Sequence, residues 1–581
     1  MLWIDHVNNN LGHLVHGIVN QYIANLRYAL LLEELYKKRF RPCESPSTIK
    51  ITNFFIELVC RSHHFVSCTI MHSPKQGAYG KIKIHKEPLL LSMLLHPDEV
   101  FYTILAAGWK YQQQRRCLSK DMIQEKFPQR EQDLTFCMDM LEQVSRSFST
   151  VIRQLPNDLM VDVMIFYLVL RALDTIEDDT VTLGDNQLRT KIHLLKTFHR
   201  HALLEPPPTT TATATNSWHG IGQGHEQRLL QEFSRVQSIF SCLGDGSKLI
   251  ITDITKRMGQ GMAEMAAKNL TQGTATIEEY NTYCHYVAGL VGEGLSRLFA
   301  QSQLEEPNLA QQLYLSDQMG AFLQKTNIIR DYLEDYVECR AFWPRTIWKK
   351  YTKVETPDLG YFAANPTSHA AQQCLCEMIT DALEHVPACL AYLSELQCQP
   401  IFRFCAIPQV MAMATLAKCF GNQRVFTGVV KIRKGLSCKL MMRSVTLDGV
   451  HEIFYQQAKW IERKAIQRYR HQQYRYHHGT TEQDAVLLNA LLDACDVICA
   501  ITEPAYQRRQ QAKLLPMVLV SVIVIFQFLP NVTLLLVVGM AFWNYCFGPF
   551  QMVTNPFHCV QPTLWLSRAW NDATAKQNSG R

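Results

Sequence analysis

Carboxylates set at helical intervals are the residues of this sequence best suited to chemistry. Asp174-Thr175-Ile176-Glu177-Asp178-Asp179 and Asp331-Tyr332-Leu333-Glu334-Asp335 lie about 150 residues apart. On a helix Asp174, Glu177 and Asp178 stand at i, i+3 and i+4, and so do Asp331, Glu334 and Asp335, which crowds three carboxylates onto one face. Such crowding needs cations. Hard oxygen donors of this kind suit Mg²⁺, which keeps several waters and is normally held by a few carboxylates together with substrate phosphates. Mn²⁺ accepts the same donors. Two such faces match two diphosphates.

A single acidic run on a helix is usually solvated surface. The company of these two sets them apart. Tyr167, Arg171, Asp174 and Asp178 repeat at helical spacing, as do Gln324, Asn327, Asp331 and Asp335, with Lys325 and Arg330 close by. The intervening residues are apolar: Ile165, Phe166, Leu168, Val169, Leu170 and Leu173 in the first run, Phe322, Leu323, Ile328 and Ile329 in the second. Both helices are therefore expected to be buried on most sides. Buried carboxylates without partners are strongly destabilising, so the acidic faces must look into a hydrated, cation-filled cavity.

The elements that hold these faces belong to a long chain. At 581 residues, with 47% hydrophobic content, it can bury a sizeable core, and the motifs set out below run across more than half of the chain, which points to one large helical domain rather than several small ones. The net charge of +6 is modest and forms no basic stripe of the nucleic-acid kind, so no nucleic-acid partner is expected. Nineteen cysteines occur without a C-x-x-C pair and no signal peptide opens the chain, which points to reduced thiols facing the cytosol.

Three stretches interrupt the helical pattern. Residues 1–91 form an N-terminal extension whose role stays open: an appended domain, a targeting segment, or an upstream extension absent from the working protein, with Met93 as an alternative start. Residues 205–226, rich in Pro, Thr and Ala, read as a low-complexity surface insertion. Gln467 to His478 alternates Arg, Gln, Tyr and His and reads as a flexible part of a basic connector, residues 461–513, near a membrane surface. A catalytic domain of residues 92–460 lies between.

The C-terminus carries a different signal. Leu514 to Ser567 contains no Asp, Glu, Lys or Arg. Met517 to Trp543, as a helix, would span ~40 Å, enough for one tilted or kinked crossing of a core about 30 Å thick. Pro530 would mark the kink; a re-entrant hairpin turning there is the alternative. Arg508, Arg509 and Lys513 precede this stretch, so the catalytic body is expected on the cytosolic side of a transmembrane anchor at 514–545, with a tail at 546–581. The endoplasmic reticulum membrane is the expected location and membrane lipid a partner.

Eight ordered motifs carry a resemblance: Ser145 to Phe148, FYLVLRALDTIEDD (Phe166 to Asp179), MGQGMAEM (Met258 to Met265), YCHYVAGLVGEGLSRLF (Tyr283 to Phe299), LQKTNIIRDYLED (Leu323 to Asp335), Phe342-Trp343-Pro344, FRFCAIPQVM (Phe402 to Met411) and VFTGVVKIRKG (Val425 to Gly435). Together, over roughly His96 to Gly435, they resemble the squalene synthase family. The resemblance implies an all-α isoprenoid synthase fold, a large helical bundle around a central cavity. It implies condensation of two farnesyl diphosphates through presqualene diphosphate, followed by reduction with NADPH, in a protein expected to be monomeric.

On that resemblance Asp174, Glu177, Asp178, Asp331 and Asp335 are the Mg²⁺ carboxylates. Arg146, Arg171, Gln324, Asn327, Arg330 and Arg340 meet the diphosphates, arginine suiting bidentate contact with their oxygens. Tyr283, with Tyr167 and Arg171, stands near the reacting carbons; a phenol titrating near 10 is a poor base alone. Phe402 and Phe404 wall the cation without offering a nucleophile. No G-x-G-x-x-G follows an expected strand, so NADPH is not held by a Rossmann unit. Ser147, Phe148 and Val287 are its expected contacts, with Lys431, Arg433 and Lys434 for the 2′-phosphate. A phytoene or dehydrosqualene synthase, which omits the reduction, and a non-catalytic prenyl-diphosphate-binding protein are the rival readings.

Overall fold

The computed structural model describes residues 82–525 apart from 86, 88–91, 93–94, 115–122, 124, 146–147, 205–217, 219, 353–356 and 476–481. The chain divides into two units, Met1–Met71 and His72–Arg581, and every described residue belongs to the second. Among them the fold is helical. In chain order the elements used below are β1 (Lys83–His85), α1 (Pro97–Gln114), α2 (Glu131–Ser145), α3 (Asn157–Asp178), α4 (Leu188–His199) and α5 (Gly224–Gln231). There follow α6 (Asp245–Ala266), α7 (Ile277–Cys284), α8 (Leu290–Gln301), α9 (Leu313–Arg330), α10 (Tyr332–Val337) and α11 (His369–Leu383). Last come α12 (Gln399–Cys419), β2 (Gly428–Val430), α13 (Lys434–Arg443), α14 (Leu447–Arg475) and α15 (Glu482–Ile525).

The acid-bearing helix α3 starts after Pro156 and is sheathed on nearly every side: Met164, Ile165, Leu168, Val169, Ala172, Leu173 and Ile176 have no exposed surface. From Val163 to Asp178 only the Tyr167, Arg171, Asp174, Asp178 line keeps solvent access, as its periodicity predicts. Lys325, on α9, turns away from the acidic face and pairs with Asp381 of α11 at 2.8 Å in the core. Its helix therefore has a charged anchor as well as an apolar one.

Between α7 and α8 the helix widens into a π-turn over His285–Gly289. Glycines admit this bulge. A Cβ on Gly261 would lie 2.2 Å from the Tyr286 ring, and one on Gly320 2.2 Å from the Ala288 carbonyl oxygen, so α6 and α9 pack tightly against the turn. The N-terminus of α7 is fixed by a capping arrangement: the Thr276 hydroxyl accepts from the Glu279 amide at 3.2 Å, and the Glu279 carboxylate accepts from the Ala275 amide. Tyr283 is thus held from both ends of its helix. In α12, Pro408 lacks the N–H that would bond the Phe404 carbonyl, placing the break beside the paired phenylalanines.

Three sequence boundaries move. Lys83, Ile84 and His85 pair in parallel with Gly428, Val429 and Val430, and Glu87 meets Lys418 at 2.9 Å, so the body begins before residue 92 and a start at Met93 would forfeit a strand. The end of the 205–226 insertion is core: Trp218 and Ile221 are buried, Trp218 against Phe198 and Phe233. The expected connector at 461–513 is helical wherever it is described, as α14 and α15 pack along one another. Arg443 and Arg509 both pair with Glu452, at 2.8 and 2.7 Å, and that carboxylate has no exposed surface. The stretch expected to be flexible is helix up to Arg475, and its remainder, 476–478, lies outside the described residues. The anchor at 514–545 is described only as the backbone of α15 up to Ile525; the rest, the tail at 546–581, residues 1–71 and the 205–217 insertion lie outside the described residues.

Candidate active site

The three first-cluster carboxylates converge as their spacing requires. Asp174, Glu177 and Asp178 each offer an oxygen, and these oxygens lie within 4.8 Å of one another. Arginines cover them. Arg340 donates through Nη1 to Asp178 at 2.6 Å and to Glu177 at 3.2 Å, while Arg171 is shared between Asp174 and Glu226. Burial raises the Asp174 carboxyl to about 6, reinforced by the charge of Asp178. Burial, with Asp178 and Asp174 beside it, takes Glu177 to about 7 against the pull of Arg340. Asp178 is also raised by burial, but Arg340 and Arg171 outweigh that and hold it low. Two of the three groups thus ionise less readily than ordinary carboxylates, and a cation would favour their charged forms.

The fourth acid of the run does something else. Asp179 accepts backbone N–H bonds from Thr182 at 2.6 Å, Leu183 at 2.9 Å and Gly222 at 2.7 Å. It staples the residues after the insertion onto the end of α3. That staple brings in Glu226, the partner of Arg171, which sequence reasoning missed because it follows a low-complexity run and belongs to no motif.

In the second cluster α9 ends at Arg330 and α10 begins at Tyr332, with Asp331 between them at φ −97° and ψ 14°. Arg330 donates to both Asp331 oxygens, through Nε at 2.8 Å and through Nη2. Burial first, then the charge of Asp331, raises Asp335 well above the carboxylate range. Gln324 is half-buried and Asn327 exposed on the same line.

Arg340 and Tyr283 tie the clusters together. The Arg340 amide donates to the Asp335 carbonyl at 2.9 Å while its guanidinium holds Glu177 and Asp178. Tyr283 stacks on Phe342 with ring centroids 4.2 Å apart, and Glu177, Arg340, Asp178 and Asp335 all act electrostatically on its phenol. Burial, chiefly, raises that phenol well above its usual range, so it stays protonated. Phe402 and Phe404 are both buried, Phe404 edge-on to Phe299 at 5.9 Å. Tyr167 and Phe148 lie together with ring centroids 6.1 Å apart.

The expected cofactor residues are described in part. Arg146 and Ser147 lie outside the described residues. Val287 is half-buried in the π-turn. Arg433 is committed elsewhere: its guanidinium grips Glu99 of α1, with Nη2 to Oε1 at 2.5 Å, and approaches Glu87 at 3.5 Å. In this ligand-free state it joins α13 to α1. Lys431 and Lys434 are exposed, and Lys431 acts on Glu334 of the second cluster.

Two acidic clusters joined through Arg340, with the buried Tyr283 phenol stacked on Phe342 beside them, define an all-α, carboxylate-rich site. The sequence profile of the squalene/phytoene synthase family matches residues 141–435. Squalene synthase 10 of Panax ginseng is 50% identical over 325 residues, covering 55% of this chain and 72% of that protein. Squalene synthase of Schizosaccharomyces pombe is 42% identical over 382 residues, 65% of this chain and 76% of that one. The Bos taurus squalene synthase is 44% identical over 362 residues, 62% and 80%. The solved structure of TcSQS bound to a ligand aligns with a TM-score of 0.53 at 37% identity, covering 63% of this chain and 99% of that one. The chain belongs to the squalene/phytoene synthase family, on its squalene synthase branch.

Proposed function

We propose that this chain condenses two farnesyl diphosphates head to head into presqualene diphosphate and then reduces that product with NADPH to squalene, in sterol biosynthesis. The observation that carries the reading is the placement of Tyr283 among charges of both acidic clusters, with Arg340 bonded to each. A reaction that joins two diphosphate-bearing chains needs two anion sites facing one reacting space.

The donor set fits Mg²⁺: three hard oxygen donors within 4.8 Å, two of them with raised carboxyl values, paired with Arg171 and Arg340. Asp174, Glu177 and Asp178 would hold the ion, with Asp331 and Asp335 opposite; once bound it neutralises the departing diphosphate. Arg171, Arg330 and Arg340 then take the diphosphate oxygens. Gln324 and Asn327 line the approach.

Loss of diphosphate from one substrate leaves an allylic cation; the double bond of the second attacks it, and loss of a proton closes the cyclopropane. Tyr283, protonated and buried, orients the reacting carbons and passes that proton to the released diphosphate rather than holding it. In the second step Phe402 and Phe404 present π faces to the rearranging cation and exclude water. NADPH supplies the hydride. Phe148, Val287, Lys431 and Lys434 are the residues proposed to meet it, with Ser147.

The 31 described residues Glu482–Ala512 are apolar enough to cross a membrane, yet they pack on α14, so the crossing is proposed for the uncharged stretch that follows. The body then faces the cytosol at the endoplasmic reticulum. Labelled farnesyl diphosphate incubated with Mg²⁺ tests the reading. Presqualene diphosphate should accumulate without NADPH and squalene should replace it when NADPH is added. Dehydrosqualene or phytoene as the product, or no turnover, would reject it.

A further inference from the structure

Arg403 sits between Phe402 and Phe404 on α12 and has no counter-charge among the described residues. Its Nε is buried without a hydrogen-bond partner, and its guanidinium lies over the Trp109 ring of α1 at 5.3 Å. Burial alone lowers its affinity for a proton; no acid acts to restore it. Arg468 makes the contrast. It too is lowered by burial, but it donates to the Gly421 carbonyl at 2.7 Å and to Gln372 at 3.2 Å. The sequence on either side of Trp109 offers nothing negative, since Phe101 to Lys120 contains no Asp or Glu. The acids of α1, Asp98 and Glu99, lie ten residues or more before Trp109, about 15 Å along the helix, and are taken by Lys439 and Arg433.

A cation desolvated to this degree without a partner is costly, and an anion brought by a ligand removes the cost. The farnesyl diphosphates already have their own cations at the two acidic clusters. Arg403 instead shares a turn of α12 with Phe402 and Phe404, the wall proposed for the second step, and its guanidinium is turned to Trp109. We propose that Arg403 and Trp109 form a phosphate-recognising subsite for the nicotinamide dinucleotide, the guanidinium pairing with a phosphate and the indole offering a face to a planar ring. This rests on the reductive half of the proposed function.

The test is thermal melting of the full-length chain in detergent, titrated separately with NADPH and with a non-reacting farnesyl diphosphate analogue plus Mg²⁺. In R403Q the NADPH concentration giving half-maximal stabilisation should rise about tenfold or more, and rise more than that for the analogue. R403K should recover part of the loss, W109L should share it, and ligand-free R403Q should melt no lower than wild type. An unchanged NADPH titration in R403Q, or a loss confined to the analogue, overturns the subsite while leaving the proposed function standing. A wild-type protein that makes presqualene diphosphate but does not respond to NADPH overturns both.

Discussion

The two acidic clusters share one spacing in sequence and differ in build. The first lies on an unbroken helix, its three carboxylates gathered within 4.8 Å and closed by an arginine from far along the chain. The second is split by the junction at Asp331, where Arg330 pairs with its own neighbour and burial raises the Asp335 carboxyl well above the carboxylate range. Only the first is a metal-ready triad before any ligand arrives. The difference teaches that D-x-x-E-D marks where carboxylates will stand, while the surrounding cations decide which of them is poised.

Substitution of the poised cluster should have the largest effect. Asp174→Asn should cut presqualene diphosphate formation about 10³-fold and Asp331→Asn about 10²-fold, each removing charge from the leaving-group site. Single-turnover rates check this, and near-wild-type activity in either variant breaks the two-cluster account. Arg340→Gln is expected next. It should lower turnover at least tenfold and lower the melting temperature by a few degrees in EDTA, because Glu177 and Asp178 lose their cation; Mg²⁺ should restore most of the stability.

The pH dependence sharpens the comparison further. Raised carboxyl values near 6 and 7 at Asp174 and Glu177 mean that the folded, metal-free protein holds protons the unfolded chain would release. Their contribution to stability therefore falls as pH rises through that window, and a metal ion must displace those protons. Half-saturating Mg²⁺ should rise as pH drops below about 7, and calorimetry in buffers of different ionisation enthalpy should show proton release at pH 6 but not at pH 8.5. The smallest effect belongs to the region remote from both clusters. A chain ending at Gln510 keeps the Arg509 and Arg508 pairs and should be soluble with activity changed less than about threefold. Pelleting with membranes would show that α15 itself carries the anchor.

What was legible in the sequence followed from periodicity. The α3 face, the buried helices and the set Asp174, Glu177, Asp178 are local consequences of helical spacing, and the structure gathers them so. Long-range pairings were not legible. Arg340 reaching Glu177, Glu226 reaching Arg171, and Asp179 capturing Gly222 depend on loops whose paths no spacing encodes. The partner of Arg433 was equally hidden, since a Lys-Ile-Arg-Lys run shows charge but not the Glu99 that meets it on α1. The connector was misread because polar composition at 467–478 hides the apolar contacts that α14 and α15 make on either side of it.

The central claim is that Arg340 occupies the first cluster until a divalent ion takes its place. Crystals soaked with Mn²⁺ and a non-reacting farnesyl diphosphate analogue test it directly through the anomalous signal of the metal. The account predicts a metal peak bonded to oxygens of Asp174 and Asp178 or Glu177, with the Arg340 guanidinium moved onto the diphosphate. Metal confined to Asp331 and Asp335, with Arg340 still on Asp178, would contradict it.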